Sequence, residues 1–283
     1  MILTRWRVRR CAWLTFLLAV VFALASPVAN AETTTTTTTT TPATAAVRPQ
    51  SYKLLQLNLC LSGIAGCYAG TQYPAVVDEA IDKIRTNAPD VATLVETCSG
   101  DAQRIADETG YHLAFGAVIY KGAELPCVKP TGRGVFGITV LTRRPIASVD
   151  DAAYQAQNGN EQRRRVCATT VDGATACVTH LAVRDADPAG PNSVANDGQC
   201  AEFGALLAGY ASTGRPVIAA GDMNRQTSCA PVGFWSRQDS AASQSPGIQH
   251  AYGTYRWFHR PVATTPPMTY SDHDALLVTS LFS

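Results

Sequence analysis

The nine residues Pro216-Val-Ile-Ala-Ala-Gly-Asp-Met-Asn224 constrain the fold more than any other stretch of this chain. A short apolar run with β-branched residues, opened by a proline, reads as a strand buried on both faces. Gly221 then frees the backbone to turn, and the two-residue alternation of a strand sends Asp222 and Asn224 the same way. A carboxylate and an amide side by side at the mouth of a sheet can orient a water or a metal ion. The same pair also caps strand exits through purely local hydrogen bonds. The company this stretch keeps decides between the two.

The first residues are set apart from any fold. Arg5, Arg7, Arg9 and Arg10 form a basic leader, Ala12 to Ala25 is an apolar run too short to span a membrane, and Ala29-Asn30-Ala31 is a small-x-small cleavage site. Residues 1–31 therefore read as a secretory signal, with the Arg9-Arg10 pair leaving the twin-arginine route open. Residues 32–50, with an unbroken threonine run from Thr33 to Thr41, have the composition of a flexible or O-glycosylated tether. Residues 51–283 then form one domain, large enough to bury most of its apolar surface. Removing the leader's four arginines from 23 basic residues against 22 acidic ones leaves a mature net charge of −3. Broad, charge-driven binding of nucleic acid calls for a basic surface, so only a local patch, around Arg163-Arg164-Arg165 or Arg143-Arg144, is left to contact phosphates. Such runs are also common on solvated strand edges.

Cysteine usage agrees with export. Cys11 belongs to the leader, and eight remain: Cys60, Cys67, Cys98, Cys127, Cys167, Cys177, Cys200 and Cys229. An even number without CxxC spacing points to disulfides, and neighbours pairing in order is the expected connectivity. One pair has a local argument. Asp172-Gly173 is a hairpin turn signal, and a three-residue loop there sets Cys167 opposite Cys177.

Within the domain, helical and strand patterns alternate. Strands are expected at 52–59, 91–96, 112–120, 135–141, 146–149, in the two arms of the cysteine hairpin, from Pro216, at 254–258 and at 275–281. Helices are expected at 73–86, 101–109 and 194–210. Helix-linked and hairpin-linked strands together imply mixed sheets covered by helices. Polar residues recur where these strands end: Asn58, Glu96, His180, Asp222 with Asn224, and Ser271-Asp272-His273 before the last strand. Each alone has a structural explanation, but five in this order are hard to dismiss.

In this order the pieces Leu55-Gln-Leu-Asn58, Asp90-Val-Ala-Thr-Leu-Val-Glu96, Leu141-Thr-Arg-Arg-Pro-Ile146, Thr179-His180, Gly221-Asp-Met-Asn224 and Ser271-Asp-His273 resemble the endonuclease/exonuclease/phosphatase superfamily. The resemblance implies the DNase I-like α/β fold, a four-layer sandwich of two stacked mixed β-sheets flanked by helices. It also implies a magnesium-dependent attack of water on a phosphate ester, with manganese or calcium as alternative ions. A hard cation keeps several waters and needs few protein oxygens. Glu96 is the expected direct ligand with Asn58 beside it, and Asp272 either binds metal or steers its neighbours. By resemblance Asp222 orients and deprotonates the water, Asn224 positions the phosphate or a metal-bound water, and His180 and His273 flank the phosphorus as donors when charged.

Two features depart from the family pattern. The region before the last motif reads Gly253-Thr-Tyr-Arg-Trp-Phe258, without the aspartate that often supports a catalytic histidine. Asp274 follows His273, as a second partner for the site or a solvated strand start. His112, His250 and His259 match no motif and take structural or surface roles. The resulting expectation is a secreted, monomeric phosphodiesterase without a stable membrane anchor, acting on nucleic acid. The alternatives are a sphingomyelinase-like phospholipid phosphodiesterase, an inositol or sugar phosphatase, or a catalytically silent binding module on the same fold.

Overall fold

The computed structural model describes residues 50–240 and 246–283; the expected leader, tether and Cys11 lie outside the described residues. The strands are β1 Gln50–Asn58, β2 Val91–Cys98, β3 His112–Ala117, β4 Ile119–Tyr120, β5 Ala123–Glu124, β6 Phe136–Thr142, β7 Ile146–Ala153, β8 Glu161–Gln162, β9 Arg164–Thr170, β10 Thr175–His180, β11 Val217–Asp222, β12 Phe234–Gln238, β13 Gln249–Thr254, β14 Phe258–Thr264 and β15 Leu276–Phe282. Helices α1 Ala75–Asn87, α2 Ser99–Thr109 and α3 Pro191–Ser212 connect them. One six-stranded sheet runs β14-β15-β1-β2-β6-β3 and the other β12-β13-β11-β10-β9-β7, with β5-β4-β8 as a small third sheet.

Three apolar clusters show the layering. Leu54, Val91, Val95, Ile138 and Val140 of the first sheet pack with Val166, Val178, Ile218, Ala220 and Trp235 of the second, so the two sheets are stacked face to face. The other face of the first sheet, through Leu55, Leu57 and Leu94, meets Val77, Ile81 and Ile84 of α1 and Ile105 of α2. Val217, Ala219 and Tyr252 of the second sheet meet Phe203 and Leu207 of α3. The strands at the centre are therefore buried on both faces, which is why they read as apolar runs instead of alternating ones. This is the four-layer α/β sandwich expected from the motifs.

The hairpin forms with the expected register. Thr170 N–H bonds the Ala174 carbonyl at 2.9 Å around the loop Val171-Asp172-Gly173, Gly173 takes φ +87°, and Cys167 faces Cys177. Four disulfides join Cys60 to Cys67, Cys98 to Cys127, Cys167 to Cys177 and Cys200 to Cys229, the in-order pairing. Among the described residues no helix is long and apolar enough to cross a membrane.

The last third departs from the sequence expectation. Residues 254–258 are not a strand: Thr254 closes β13, Phe258 opens β14, and a turn lies between them. Strands β12 and β13 carry no clean apolar pattern. β13, Gln-His-Ala-Tyr-Gly-Thr, is buried throughout because partners satisfy its polar groups: His250 Nε2 lies 2.9 Å from the Arg225 carbonyl and its Nδ1 3.1 Å from Tyr252 Oη. Burial of a polar residue is acceptable once it is hydrogen-bonded, and sequence does not announce the partner. His250 is thus structural, as expected.

Gly221 has a different role from the one expected. It lies inside β11 without a positive φ, and what requires glycine is close approach: a Cβ there meets the Thr179 carbonyl oxygen at 1.9 Å. Strands β10 and β11 pair in parallel with His180 opposite Asp222, one residue beyond this contact. Gly221→Ala is expected to destabilise the domain by about 3 kcal/mol, because backbone must move and no flexible side-chain end can yield. Thermal unfolding checks this as a fall in Tm of about 6–12 °C.

Candidate active site

Two parallel strand pairs, one in each sheet, end at the same edge of the sandwich. β1 and β2 pair in parallel with Asn58 beside Val95, and β10 and β11 pair in parallel with His180 beside Asp222. The carboxyl ends of parallel strands are where α/β sheets present ligand-binding residues. The β2–β6 ladder shifts register between Leu94 and Thr97, and Glu96, inside this bulge, takes φ +54°. A bulge re-aims one side chain at the cost of local strain. Asn224, just past β11, is also left-handed at φ +49°.

The side chains then meet. Asn58 Nδ2 donates to Glu96 Oε1 at 3.0 Å and to Asp222 Oδ2 at 3.2 Å, while its Oδ1 accepts the Cys60 N–H at 3.2 Å. Asn58 therefore bridges the carboxylates of the two sheets through its nitrogen. Asp222 Oδ1 accepts the Asn224 N–H at 2.9 Å. Asn224 Nδ2 donates to the Leu181 carbonyl at 2.9 Å and lies 3.1 Å from His180 Nε2, which must then be the unprotonated, accepting nitrogen. His180 Nε2 is 4.0 Å from Glu96 Oε1, and His273 Nε2 is 3.8 Å from Asp222 Oδ2 and 3.9 Å from Asp272 Oδ2. All seven residues singled out in the sequence share one cleft edge.

Other side chains hold them in place: Ser271, already visible in the last motif, and Glu79 and Gln249, which no motif announced. Ser271 Oγ donates to the Asn58 carbonyl at 2.6 Å and accepts the His273 N–H at 3.2 Å, tying the last motif to the end of β1. Glu79 of α1 accepts the N–H groups of Thr269 and Tyr270 at 2.7 and 2.9 Å. Gln249 donates to the Asp274 carbonyl at 2.6 Å. Asp274 itself accepts the Met268 N–H, so it is not the free solvated group that a bare strand start would present. The arginine run splits: Arg164 pairs with Asp151, Arg165 with Asp150, and Arg163, held by Glu161 at 3.2 Å, lines the cleft with Glu96 and His180. The run itself was visible; which arginine turns inward was not.

Electrostatics follow from burial. Glu96 is pushed up to about 7, chiefly by desolvation with the negative charges of Asp222 and Asp272 adding to it, against the Asn58 hydrogen bond and Arg163. Burial also raises Asp222, partly opposed by His273. His180 falls well below its ordinary value through burial, helped by Arg163 and His273, so it is neutral rather than charged. Burial thus favours a neutral ring at His180, against the expectation of a charged donor there.

These residues fit a cation. Glu96 feels the negative charges of Asp222 and Asp272 against the positive charge of Arg163, and Asp272 Oδ1 is buried without a hydrogen-bond partner. Because the folded value of Glu96 lies above its ordinary 4.5, the folded protein holds a proton that the unfolded chain has lost. Its contribution to stability is therefore greatest below about 4.5 and falls as pH rises to about 7. Magnesium is expected to raise Tm more at about pH 7.5 than at about pH 5 and to release protons near the lower of these, measurable by calorimetry in buffers of different ionisation enthalpy.

The disulfides start beside this edge. The sulfurs of Cys60 and Cys67 and a carboxylate oxygen of Glu96 lie within 4.8 Å of one another. Mild reduction is expected to lower turnover before the far-UV circular dichroism of the sheets changes. Full turnover with the thiols shown open by labelling rejects this.

Residues 64–274 match the model of the endonuclease/exonuclease/phosphatase family. The chain belongs to this family. No curated protein matches its sequence, and the solved structures it resembles show the shared fold at low identity. The catalytic domain of human Nocturnin with bound sulfate is similar at TM-score 0.60 and 16% identity, covering 84% of this chain and 95% of that one. An endonuclease/exonuclease/phosphatase from Beutenbergia cavernae DSM 12333 gives 0.60 and 17%, covering 82% and 72%. D. rerio TDP2 complexed with a single-strand DNA product gives 0.56 and 12%, covering 81% and 98%.

Proposed function

We propose that this member of the family is a secreted, monomeric, magnesium-dependent phosphodiesterase that cleaves nucleic acid by in-line attack of water. The observation that carries the reading is the convergence of Glu96, His180, Asp222 and His273 from two stacked sheets on one edge, with Asn58 bonded to both carboxylates. Four disulfides support export.

Glu96 and Asp272 would hold magnesium, which when bound neutralises charge on the phosphate and on the departing oxygen. Asn58 fixes the separation of the Glu96 and Asp222 carboxylates. Asp222, next to His273, orients the attacking water and takes its proton; burial raises its basicity for that task. Neutral His180 accepts from Asn224 through Nε2, which fixes both side chains at the cleft edge beside Glu96. Arg163 provides fixed positive charge at the cleft wall. On the same fold D. rerio TDP2 is complexed with a single-strand DNA product, which supports nucleic acid as the substrate.

The test is an activity panel of plasmid DNA, RNA, sphingomyelin and inositol phosphates, in magnesium and in chelator. Cleavage of nucleic acid that chelator abolishes is expected. Chelator-insensitive turnover defeats the metal mechanism, turnover confined to the lipid or inositol esters moves the substrate, and no turnover with metal bound leaves a binding module.

A further inference from the structure

The cleft is not symmetric about the catalytic edge. On one side Glu96 and His180 open onto a cavity of about 370 Å³ whose other walls include Ile64, Leu125, Phe136, Val183 and Tyr120. On the other side Asp272 borders a more open space of about 670 Å³ lined by Gly66, Gly70, Thr269 and Ser271. The loop closed by the Cys60–Cys67 bond divides them, with Ile64 facing the first and Gly66 and Cys67 the second. Substituents on the two sides of a bound phosphate therefore meet different chemistry.

We propose that the first side is an aromatic subsite, which seats a flat ring carried by one ester arm of the substrate next to the phosphate. The inference rests on the phosphodiesterase reading and names the substrate class more narrowly. Ile64 and Val183 are 61% and 59% exposed although large and apolar, and both line this cavity. Clustered exposure of this kind marks a surface that a ligand covers. Tyr120 and Arg163 add two planar groups to a wall that already holds Phe136 beside its aliphatic side chains, the combination that accepts the face of a ring by stacking and cation–π attraction. The volume is at the small end of the range for ligand pockets, about 300–1,000 Å³, which suits one ring system better than paired acyl chains. A nucleobase and a simple aryl ester share this chemistry.

Isothermal calorimetry in excess magnesium, with phenylphosphonate and methylphosphonate as non-hydrolysable probes, tests it. Phenylphosphonate is expected to bind about tenfold more tightly than methylphosphonate, the scale set by burying part of one ring. Ile64→Ser combined with Val183→Ser removes that margin, with Tm measured alongside; if the pair melts early, Tyr120→Ala is read for the same loss. Equal affinity of the two probes in the parent, or an undiminished margin in the folded variants, overturns the subsite and leaves the phosphodiesterase reading standing. Binding of neither probe also overturns the subsite, while the phosphodiesterase reading is decided separately by the turnover panel. If the margin is confirmed, a panel of mononucleotide and aryl phosphodiesters separates a base-recognising site, with unequal affinities among bases, from a general aryl site.

Discussion

Replacing Glu96 by glutamine is expected to lower kcat/KM for phosphodiester hydrolysis by about 10³-fold or more and, in the same protein, to raise the Tm measured without metal. The two effects have one cause. The carboxylate is buried beside Asp222 and Asp272 and is pushed up to about 7, so near neutral pH its charge is held at a cost to the fold. Glutamine keeps the oxygen that accepts the Asn58 hydrogen bond and removes the charge. What is lost is the anionic oxygen needed to bind a cation. Stability gained where activity disappears is the signature of a residue retained for chemistry. A variant that keeps activity, or whose Tm falls with activity, rejects Glu96 as the metal ligand.

Asp222→Asn is expected to cost about 10³-fold in kcat/KM while magnesium affinity stays near that of the parent. Both Asp222 oxygens already accept hydrogen bonds, one from the Asn224 N–H and one from Asn58, and Oδ2 also faces His273 at 3.8 Å. An amide in this place can neither take a proton from water nor accept on both sides. The metal titration separates the proposed base from the proposed ligand: Glu96→Gln loses magnesium binding and activity together, whereas Asp222→Asn loses activity alone. Parallel losses of magnesium affinity in both variants would place Asp222 among the ligands.

Glu96 and Asp222 both belong to the strand-end residues that the linear order of the chain already exposes. Asn58, Glu96, His180 and Asp222 stand at the close of apolar runs because a strand buried on both faces can place polar groups only where it leaves the core. Their surroundings are less legible. β13 reads as polar and proved to be a fully buried strand, since His250 and Gln249 find partners supplied by residues far from or across the sheet. The inward turn of Arg163 depends on which neighbours claim the adjacent arginines.

Local sequence determined the alternation of strands and helices and the Asp172-Gly173 hairpin with its cysteine register, and it displayed polar residues where the buried strands close. These follow from short-range rules: periodicity, turn chemistry and loop closure. Only the tertiary structure decided how those residues relate. The bulge that aims Glu96 and the close contact that demands glycine at 221 arise between paired strands, while the bridge from Asn58 to both carboxylates and the burial that keeps His180 neutral arise where the sheets meet. Desolvation and charge coupling act through space, and chain order does not encode the distances on which they depend.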